Sequence, residues 1–516
     1  MCSDPNTQPV SGALALDGAD GIPPQAMDVH VLRAKARRGS WWTLFGYGGS
    51  QFLRLLNNLI LWQLLYPEAF GLMAIVSVCL TGLAMFSDIG IGPSIIQHER
   101  GDDTDYLNTA WTIQVMREFL LCATACLLAA PIAAFYREPQ LAHLLPAAAF
   151  ASLLSGFNST RLFTATRTIS LGRLTAVDLT AQVASLVVMI AWAWVHRSIW
   201  ALIIGNVVYN AVRLVLSHTF LPGIRNRFRW DATCARALLR FGRWIFLSTL
   251  LTFIVMQSDR LIFGKLIPMG LLGVYSIATT WASLPYAVIS RVFSSVLFPL
   301  LARVHRESAD FASMLRSARR PWLILSGCAT ACLVGAGPTL IRLLYEPRAE
   351  SAGWIIRLLA LGVWLLSLES ANGIALLARG QPKWVAAGNA AKLVGMVALI
   401  PIGYSSFGFP GAVAALASTE LLHYLTTSTG AWRHKVACLG QDLRFSGLVF
   451  LTTAVGLATA HWLTPPLRAL DLGHARVNAF LECLVITVSA SLAWGGVFWW
   501  HRRHAGRSEA LSAGPG

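Results

Sequence analysis

Four polar side chains lie along an otherwise apolar stretch near the start of this 516-residue chain. They follow i, i+4, i+7 and i+11 spacing, which places them on one face of an α-helix: Tyr47, Gln51, Arg54 and Asn58. Arg54 falls near the middle of this stretch, too far from either end for its side chain to reach the interface easily. This stripe therefore predicts a polar, positively charged face on a membrane helix, which favours an anionic ligand.

More ionisable residues interrupt later apolar stretches. An arginine or lysine at the centre of a membrane helix costs about 2.5–3.5 kcal/mol on insertion scales unless it faces a partner or water. We therefore predict a water-filled, net cationic cavity whose cargo-binding residues are Arg54, Asn58, Arg117, Arg260, Arg291 and Lys392. Three acids are candidates to carry a coupling proton or cation, or to balance a neighbouring arginine: Glu118, Asp259 and Glu369.

Other charges favour a structural role. Lys265, Arg342 and Arg357 fall near predicted helix ends, where long side chains extend to the interface. Asp178 and Arg213 are also expected to be structural. Glu420 and His423 are predicted to form a packed polar pair.

The composition identifies the class of protein. Hydrophobic residues make up 55 % of the chain and charged residues 13 %, and the mean hydropathy is +0.57. A soluble chain carries about 25 % charged residues, so a soluble enzyme is excluded. The nine cysteines include no CxxC motif and no Cys/His cluster, so neither a metal site nor a cofactor is expected.

A membrane-spanning helix needs about 20 mostly apolar residues. With that window we predict an all-α integral membrane protein with about fourteen transmembrane helices, at 41–65, 69–92, 107–135, 141–162, 175–195, 199–220, 242–266, 271–299, 321–344, 353–378, 384–403, 411–431, 446–464 and 478–500.

The basic residues predict the orientation. If the chain starts in the cytoplasm, the tails and loops on that side hold about 27 of the 41 lysines and arginines, against about five on the other side. Both termini are therefore expected in the cytoplasm. The net charge of +16 is then a consequence of topology, and nucleic acid is not expected as a partner.

An internal repeat predicts two related lobes. Residues 57–60 and Gly71 correspond to residues 259–262 and Gly273 at a shift of about 202, and the sequence CATAC occurs at 122–126 and 328–332. The resulting domains are a disordered cytoplasmic tail at 1–39, an N-lobe of helices 1–6 at 40–220, a basic cytoplasmic linker at 221–241, a C-lobe of helices 7–12 at 242–432, and helices 13–14 with a cytoplasmic tail at 433–516. Two parallel six-helix lobes leave a cleft near the midplane, where transporters bind cargo.

Several motifs in residues 40–100 resemble a known family. They are Asn57-Asn58-Leu59, the run LYPEAFGLMA at 65–74, and the run DIGIG at 88–92. This pattern resembles the polysaccharide transporter (Wzx-type oligosaccharide flippase) family, whose superfamily also holds the MATE exporters and the lipid II flippase.

The resemblance implies a transporter that flips an undecaprenyl-diphosphate-linked oligosaccharide from the cytoplasmic to the periplasmic leaflet of the bacterial inner membrane by alternating access. The product would serve O-antigen, capsule or exopolysaccharide biosynthesis. Implied partners are the lipid-linked oligosaccharide, membrane lipids, and the polysaccharide polymerase and chain-length machinery. Cationic lumens are a feature of the family, which the resemblance carries over to Arg54, Arg117 and Arg260.

Two other functions remain as alternatives. An enzyme would need catalytic residues, but the sequence has no P-loop, nucleophile elbow or HExxH motif, so no enzymatic activity is expected. A multidrug or small-solute exporter of the same superfamily is the alternative within transport. An exporter of organic cations would favour acids in its lumen, whereas arginines predominate here.

Overall fold

The computed structural model describes residues 29–512 except 89, 169, 308–310 and 470–474. In these ranges the chain forms α-helices joined by short loops, with a single 3-10 turn at Pro347–Ala349. The helices are α1 Val29–Leu64, α2 Pro67–Phe86, α3 Ile91–Gln97, α4 Thr104–Tyr136, α5 Leu141–Gly156, α6 Arg161–Arg167, α7 Leu171–His196, α8 Trp200–Thr219, α9 Ala232–Leu266, α10 Met269–Glu307, α11 Phe311–Leu344, α12 Ala352–Ala378, α13 Pro382–Arg433, α14 Leu439–Ala469 and α15 Ala475–Ser512.

The helices confirm the predicted all-α membrane class. Each of the fourteen predicted segments falls mainly on a helix of the described residues. Nine of these helices are long and apolar enough to cross a membrane, or ten if α5 and α6, bent by 58°, form one span. The chain is therefore a multi-pass membrane protein.

The helix boundaries differ from the sequence prediction in several places. Helix α1 begins at Val29, so residues 29–39 are helical, whereas the sequence predicted a disordered tail to residue 39; residues 1–28 lie outside the described residues. Helix α9 begins at Ala232, so residues 232–241 of the predicted linker are helical too. The predicted segments 384–403 and 411–431 form the two arms of α13, and Gly408 breaks the helix between them at φ 64° and ψ −151°, a conformation open to glycine. The short helices α3 and α6 were not predicted.

The largest hydrophobic core joins both halves of the chain at one end of the bundle. It contains residues from the first turns of α2, α10 and α12 and from the last turns of α4 and α9, among them Ile75, Leu272, Ile355, Ala133 and Phe263. Burial of this apolar surface stabilises the contact between the halves. We call this the closed end.

At the opposite end the described residues form separate cores. Ile95 and Tyr106 of the first half pack with Leu238 at the start of α9, whereas Leu315 and Val436 belong to a cluster confined to the second half. Apart from this contact with the start of α9, no hydrophobic cluster of the described residues joins the halves here. We call this the open end.

The predicted basic linker is held against the first half of the chain. Arg161 donates from Nε to the carbonyl of Ile224 at 2.8 Å and from Nη1 to that of Leu221 at 2.9 Å. The Ser159 hydroxyl donates to Oδ1 of Asn226 at 2.7 Å. These bonds satisfy backbone carbonyls outside regular structure and fix the start of α9.

Asp231 ends this linker and caps α9. Its Oδ1 accepts hydrogen bonds from the backbone amides of Thr233 and Cys234 at 2.8 and 2.9 Å, and from the Thr233 hydroxyl. These donors lower the pKa of the Asp231 carboxyl to about 2 because they stabilise its ionised form. The cap sets where α9, which carries Arg260, begins.

Candidate functional site: a cationic cavity

A cavity of about 850 Å³ lies among α1, α2, α7 and α8, and α9 and α10 complete its wall. It reaches from Gly46 and Leu171, near the open end, to Phe70 and Leu202, near the closed end. Hydroxyl and amide groups make much of its wall polar, among them Tyr47, Asn57, Gln182, Asn206, Tyr209 and Thr280. Such a wall can hydrogen-bond a molecule rich in hydroxyl groups.

The cavity brings together four of the six predicted cargo-binding residues: Arg54, Asn58, Arg260 and Arg291. Arg54 is exposed to the cavity and has no ion pair or hydrogen bond with another described residue. Arg260 donates from Nη1 to Gln257 at 3.4 Å, a long contact. Both guanidinium groups therefore keep donors for a ligand.

The three arginines lie at different depths. At 1.5 Å per residue along its helix, Arg260 lies about 9 Å from the closed end and Arg54 about 15 Å. Arg291 lies about 33 Å along α10 from the same end. Positive charge is therefore distributed along the length of the cavity.

Asp178 is the single carboxylate among the described residues that line the cavity. The Nε atom of Arg213 donates to its Oδ1 at 2.9 Å, so this negative charge already has a partner, as the structural role predicted for the two residues requires. The lining thus combines three guanidinium groups with one paired carboxylate. Its net charge is positive, which favours an anion.

The α7 wall of the cavity was missed by the sequence analysis. Asp178, Gln182 and Ser185 follow i, i+4, i+7 spacing and all line the cavity, which is the same signal as the stripe on α1. Gln182 donates from Nε2 to the carbonyl of Ser50 at 3.2 Å and so joins α7 to α1. The spacing of these residues is visible in the sequence.

Arg117, predicted to bind cargo, and Glu118 lie outside this cavity. Its Nε donates to the Ser87 hydroxyl at 2.9 Å and its Nη2 to the carbonyl of Ala84 at 3.2 Å. Glu118 lies 3.5 Å from the Arg117 guanidinium and is 8 % exposed. Arg117 is thus occupied by groups at the end of α2.

Lys392, which was also predicted to bind cargo, lies outside this cavity as well. Its Nζ lies 2.5 Å from Oε1 of Glu420. Both residues line a separate cavity of about 140 Å³, together with Asp259. Asp259 accepts a hydrogen bond from the Tyr275 hydroxyl at 2.6 Å. A buried ammonium beside a carboxylate is already neutralised, so it has little charge left for cargo.

The predicted pair of Glu420 and His423 is part of a longer polar chain. His423 Nδ1 lies 3.5 Å from Glu420 Oε2, and His423 Nε2 lies 3.3 Å from Glu369 Oε1. Together with Lys392, these residues form what we call the polar chain, which links α12 to both arms of α13. Glu369 and His423 are 6 % and 5 % exposed, so this end of the polar chain is buried among the helices.

In the described part of the chain, no group of three or more His, Cys, Asp or Glu side chains is placed to hold a metal ion.

The chain matches a protein family over more than half its length. The sequence profile of the family described as "Polysaccharide biosynthesis protein" matches residues 60–348. This range contains α2 to α11 and therefore most of the cavity wall.

Curated relatives are distant and are matched over part of their length. The chain is 22 % identical over 278 residues to the lipopolysaccharide biosynthesis protein WzxC of Escherichia coli, which covers 54 % of this chain and 56 % of that protein. It is 22 % identical over 333 residues to the succinoglycan biosynthesis transport protein ExoT of Rhizobium meliloti, covering 64 % and 66 %. The chain thus spans between half and two thirds of these relatives.

Solved structures share the fold. The lipid II flippase MurJ, in an inward closed conformation, is similar with a TM-score of 0.65 at 13 % identity, covering 90 % of this chain and 99 % of that one. An inward-facing multidrug resistance MATE transporter of the MOP superfamily has a TM-score of 0.58 at 14 % identity, covering 77 % and 95 %. With the family profile, these similarities establish that the chain belongs to the Wzx-type polysaccharide biosynthesis family and has the fold of the MurJ and MATE transporters.

Proposed function

We propose that this transporter flips an undecaprenyl-diphosphate-linked oligosaccharide across the bacterial inner membrane for surface polysaccharide biosynthesis. The observation that carries the proposal is that Arg54 and Arg260, 206 positions apart in sequence, line one cavity with amide and hydroxyl groups. Guanidinium groups match the diphosphate, and the neutral polar groups match the glycan.

The physical barrier explains why such a cavity is needed. Each unsatisfied hydroxyl costs about 4–8 kcal/mol in an environment that cannot hydrogen-bond, so a bare oligosaccharide does not cross lipid at a useful rate. A polar cavity replaces the lost water contacts, while the polyprenyl tail stays in the bilayer. No covalent chemistry is required of the chain.

The orientation of the molecule is part of the proposal. We place both termini and the open end in the cytoplasm, because the basic loops lie there. To the ten candidate spans, in which α5 and α6 form one span, we add α1, α9 and α14 and count the two arms of α13 separately, which gives fourteen spans. The two lobes are residues 40–220 and 242–432. The polysaccharide polymerase and chain-length machinery would act on the released product.

Ion coupling is assigned to one acid of the polar chain. Of the three candidate acids, Glu118 lies beside Arg117 and Asp259 accepts from Tyr275, so we give both a structural role. Glu369 faces His423 with no lysine or arginine as its direct ion-pair partner among the described residues. Glu369 is therefore our candidate for the proton or cation carrier.

Arginine variants test the flippase function. In a strain lacking the native gene, Arg54→Ala and Arg260→Ala should each reduce surface polysaccharide about tenfold or more, since a charge-assisted hydrogen bond contributes about 1.5–3 kcal/mol. Lipid-linked repeat units, measured by mass spectrometry, should accumulate. Arg348→Ala is the matched control, because Arg348 lies outside the cavity and pairs with Glu346. Normal export by both cavity variants at normal abundance would refute the proposal.

The alternative is a multidrug or small-solute exporter, which the shared MATE fold keeps open. Loss of such an exporter would sensitise cells to organic cations without accumulation of lipid-linked sugars. Susceptibility to a panel of cationic dyes, measured in the same deletion strain, separates the two functions.

A further inference from the structure

Two glycines bring the backbones of α2 and α10 together at the closed end. A β-carbon placed on Gly71 would lie well inside 3.0 Å of the Met269 carbonyl oxygen. One placed on Gly273 would lie well inside 3.0 Å of the Pro67 carbonyl oxygen and 3.2 Å from the Gly71 nitrogen. Real β-carbons essentially never approach other atoms that closely, so both positions need glycine for this contact to form.

The contact follows the internal repeat. Gly71 and Gly273 differ by 202 positions, and so do the two residues whose carbonyls they meet, Pro67 and Met269. Each glycine therefore packs on the first turn of the helix that carries the other. Such a reciprocal contact is what a two-fold relation between the halves produces.

The location of the contact gives it a consequence for transport. Around it the shared core includes Leu72 and Leu272, whereas the described cores at the open end connect the halves only through the start of α9. The cavity therefore has its sealed end at the two glycines. Cargo that enters from the open end can leave on the other side only after α2 and α10 separate.

We propose that Gly71 and Gly273 form the exit seal of the transporter. The seal closes because neither residue has a side chain, and its parting opens the cavity to the opposite side of the membrane. This inference rests on the proposed function for the direction of cargo, but the seal itself is a property of the two helices. Adding one methyl group at either position destabilises the sealed state and leaves the parted state unaffected, so it shifts the population toward the parted state.

Accessibility of a cavity residue tests the seal without any cargo. Ser276 lines the cavity two turns from the start of α10, and Ser276→Cys serves as the reporter for a membrane-impermeant maleimide. The chain without this reporter is the blank for the nine native cysteines. In intact cells, Gly71→Ala and Gly273→Ala should each raise reporter labelling several-fold, with a corresponding fall in inside-out vesicles.

Gly447→Ala is the matched control, because it also adds a methyl group to a helix but meets nothing within 4 Å. It should label as the unsubstituted chain does. If Gly71→Ala and Gly273→Ala also label as this control does, the seal is refuted. A labelling shift combined with unimpaired export by the arginine variants would refute the cargo assignment and leave the seal standing.

A reversible crosslink provides a second test if an alanine variant fails to fold. A β-carbon on Gly270 would lie 3.7 Å from Glu68 Cγ, so cysteines at these two positions would face each other across α2 and α10. Oxidation of Glu68→Cys with Gly270→Cys should abolish reporter labelling in intact cells, and reductant should restore it. The two single-cysteine variants are the controls. Reporter labelling that is equal in the crosslinked and reduced protein would overturn the proposal.

Discussion

Lys392 and Glu420 lie on opposite arms of α13, on either side of the kink at Gly408, with 2.5 Å between Nζ and Oε1. Their side chains are 10 % and 13 % exposed. A helix that ran straight from Pro382 to Arg433 would place these residues about 42 Å apart along its axis. The kink therefore makes the ion pair, and the ion pair in turn holds the two arms together.

Removing one partner of this pair should destabilise the protein. Lys392→Ala leaves Glu420 buried without its counter-ion, a change that costs about 3–5 kcal/mol in buried pairs. We expect a melting temperature several degrees lower, measured by fluorescence-detected size exclusion in detergent. Lys392→Met combined with Glu420→Leu should recover most of the loss.

The same variants decide whether Lys392 contacts cargo, as the sequence predicted. Export by the stable double variant should be within about twofold of normal if the lysine is structural. If the stable double variant does not export, and the Lys392→Arg variant binds cargo normally, Lys392 instead contacts cargo.

Arg117 should likewise stabilise the folded protein. Its bonds to Ser87 and Ala84 tie α4 to the end of α2, and each hydrogen bond to a charged group contributes about 1.5–3 kcal/mol. Arg117→Ala should lower the abundance and melting temperature, and Ser87→Ala should produce a smaller fall in both. If Arg117→Ala melts normally but exports poorly, the residue acts on cargo.

Much of the fold was predictable, because membrane helices can be recognised in a sequence as long apolar segments. The cavity was partly predictable, because Arg54 and Asn58 repeat at helical spacing on one face. The partners of Lys392 and Arg117 were not, since Glu420 and Ser87 are 28 and 30 residues away and only tertiary packing brings them close. The periodicity of a sequence indicates that a charged residue lies within a membrane helix, but it does not identify the residue that pairs with that charge.

Acid should selectively weaken the cap of α9. The pKa of Asp231 is lowered to about 2 in the folded protein by donors from Thr233 and Cys234, whereas an unfolded aspartate titrates near about 3.9. The cap therefore stabilises the fold fully above pH about 4, and this contribution is lost as the pH falls toward 2.

Comparison with a neutral cap isolates this effect. Asp231→Asn retains an N-cap acceptor but does not titrate. The melting temperature of the native chain should exceed that of Asp231→Asn at pH 7, and the difference should shrink between pH 4 and pH 3. A difference that is constant over this range would show that the carboxylate charge does not stabilise α9.

The polar chain should govern the energy dependence of transport. In Glu369→Gln the residue next to His423 can no longer gain or lose a proton, while its size and hydrogen-bonding groups are nearly retained. If Glu369 carries the coupling ion, export by this variant should fall to the level that the native chain shows when a protonophore collapses the proton gradient. The protonophore should then have no further effect on the variant.

Glu118→Gln is the matched control for this experiment, because Glu118 is buried to a similar extent but lies next to Arg117 in the first half of the chain. It should remain sensitive to the protonophore. Normal, protonophore-sensitive export by Glu369→Gln would remove Glu369 from the coupling path. The polar chain would then be a structural link between α12 and α13, whose loss lowers the melting temperature without changing the response to the gradient.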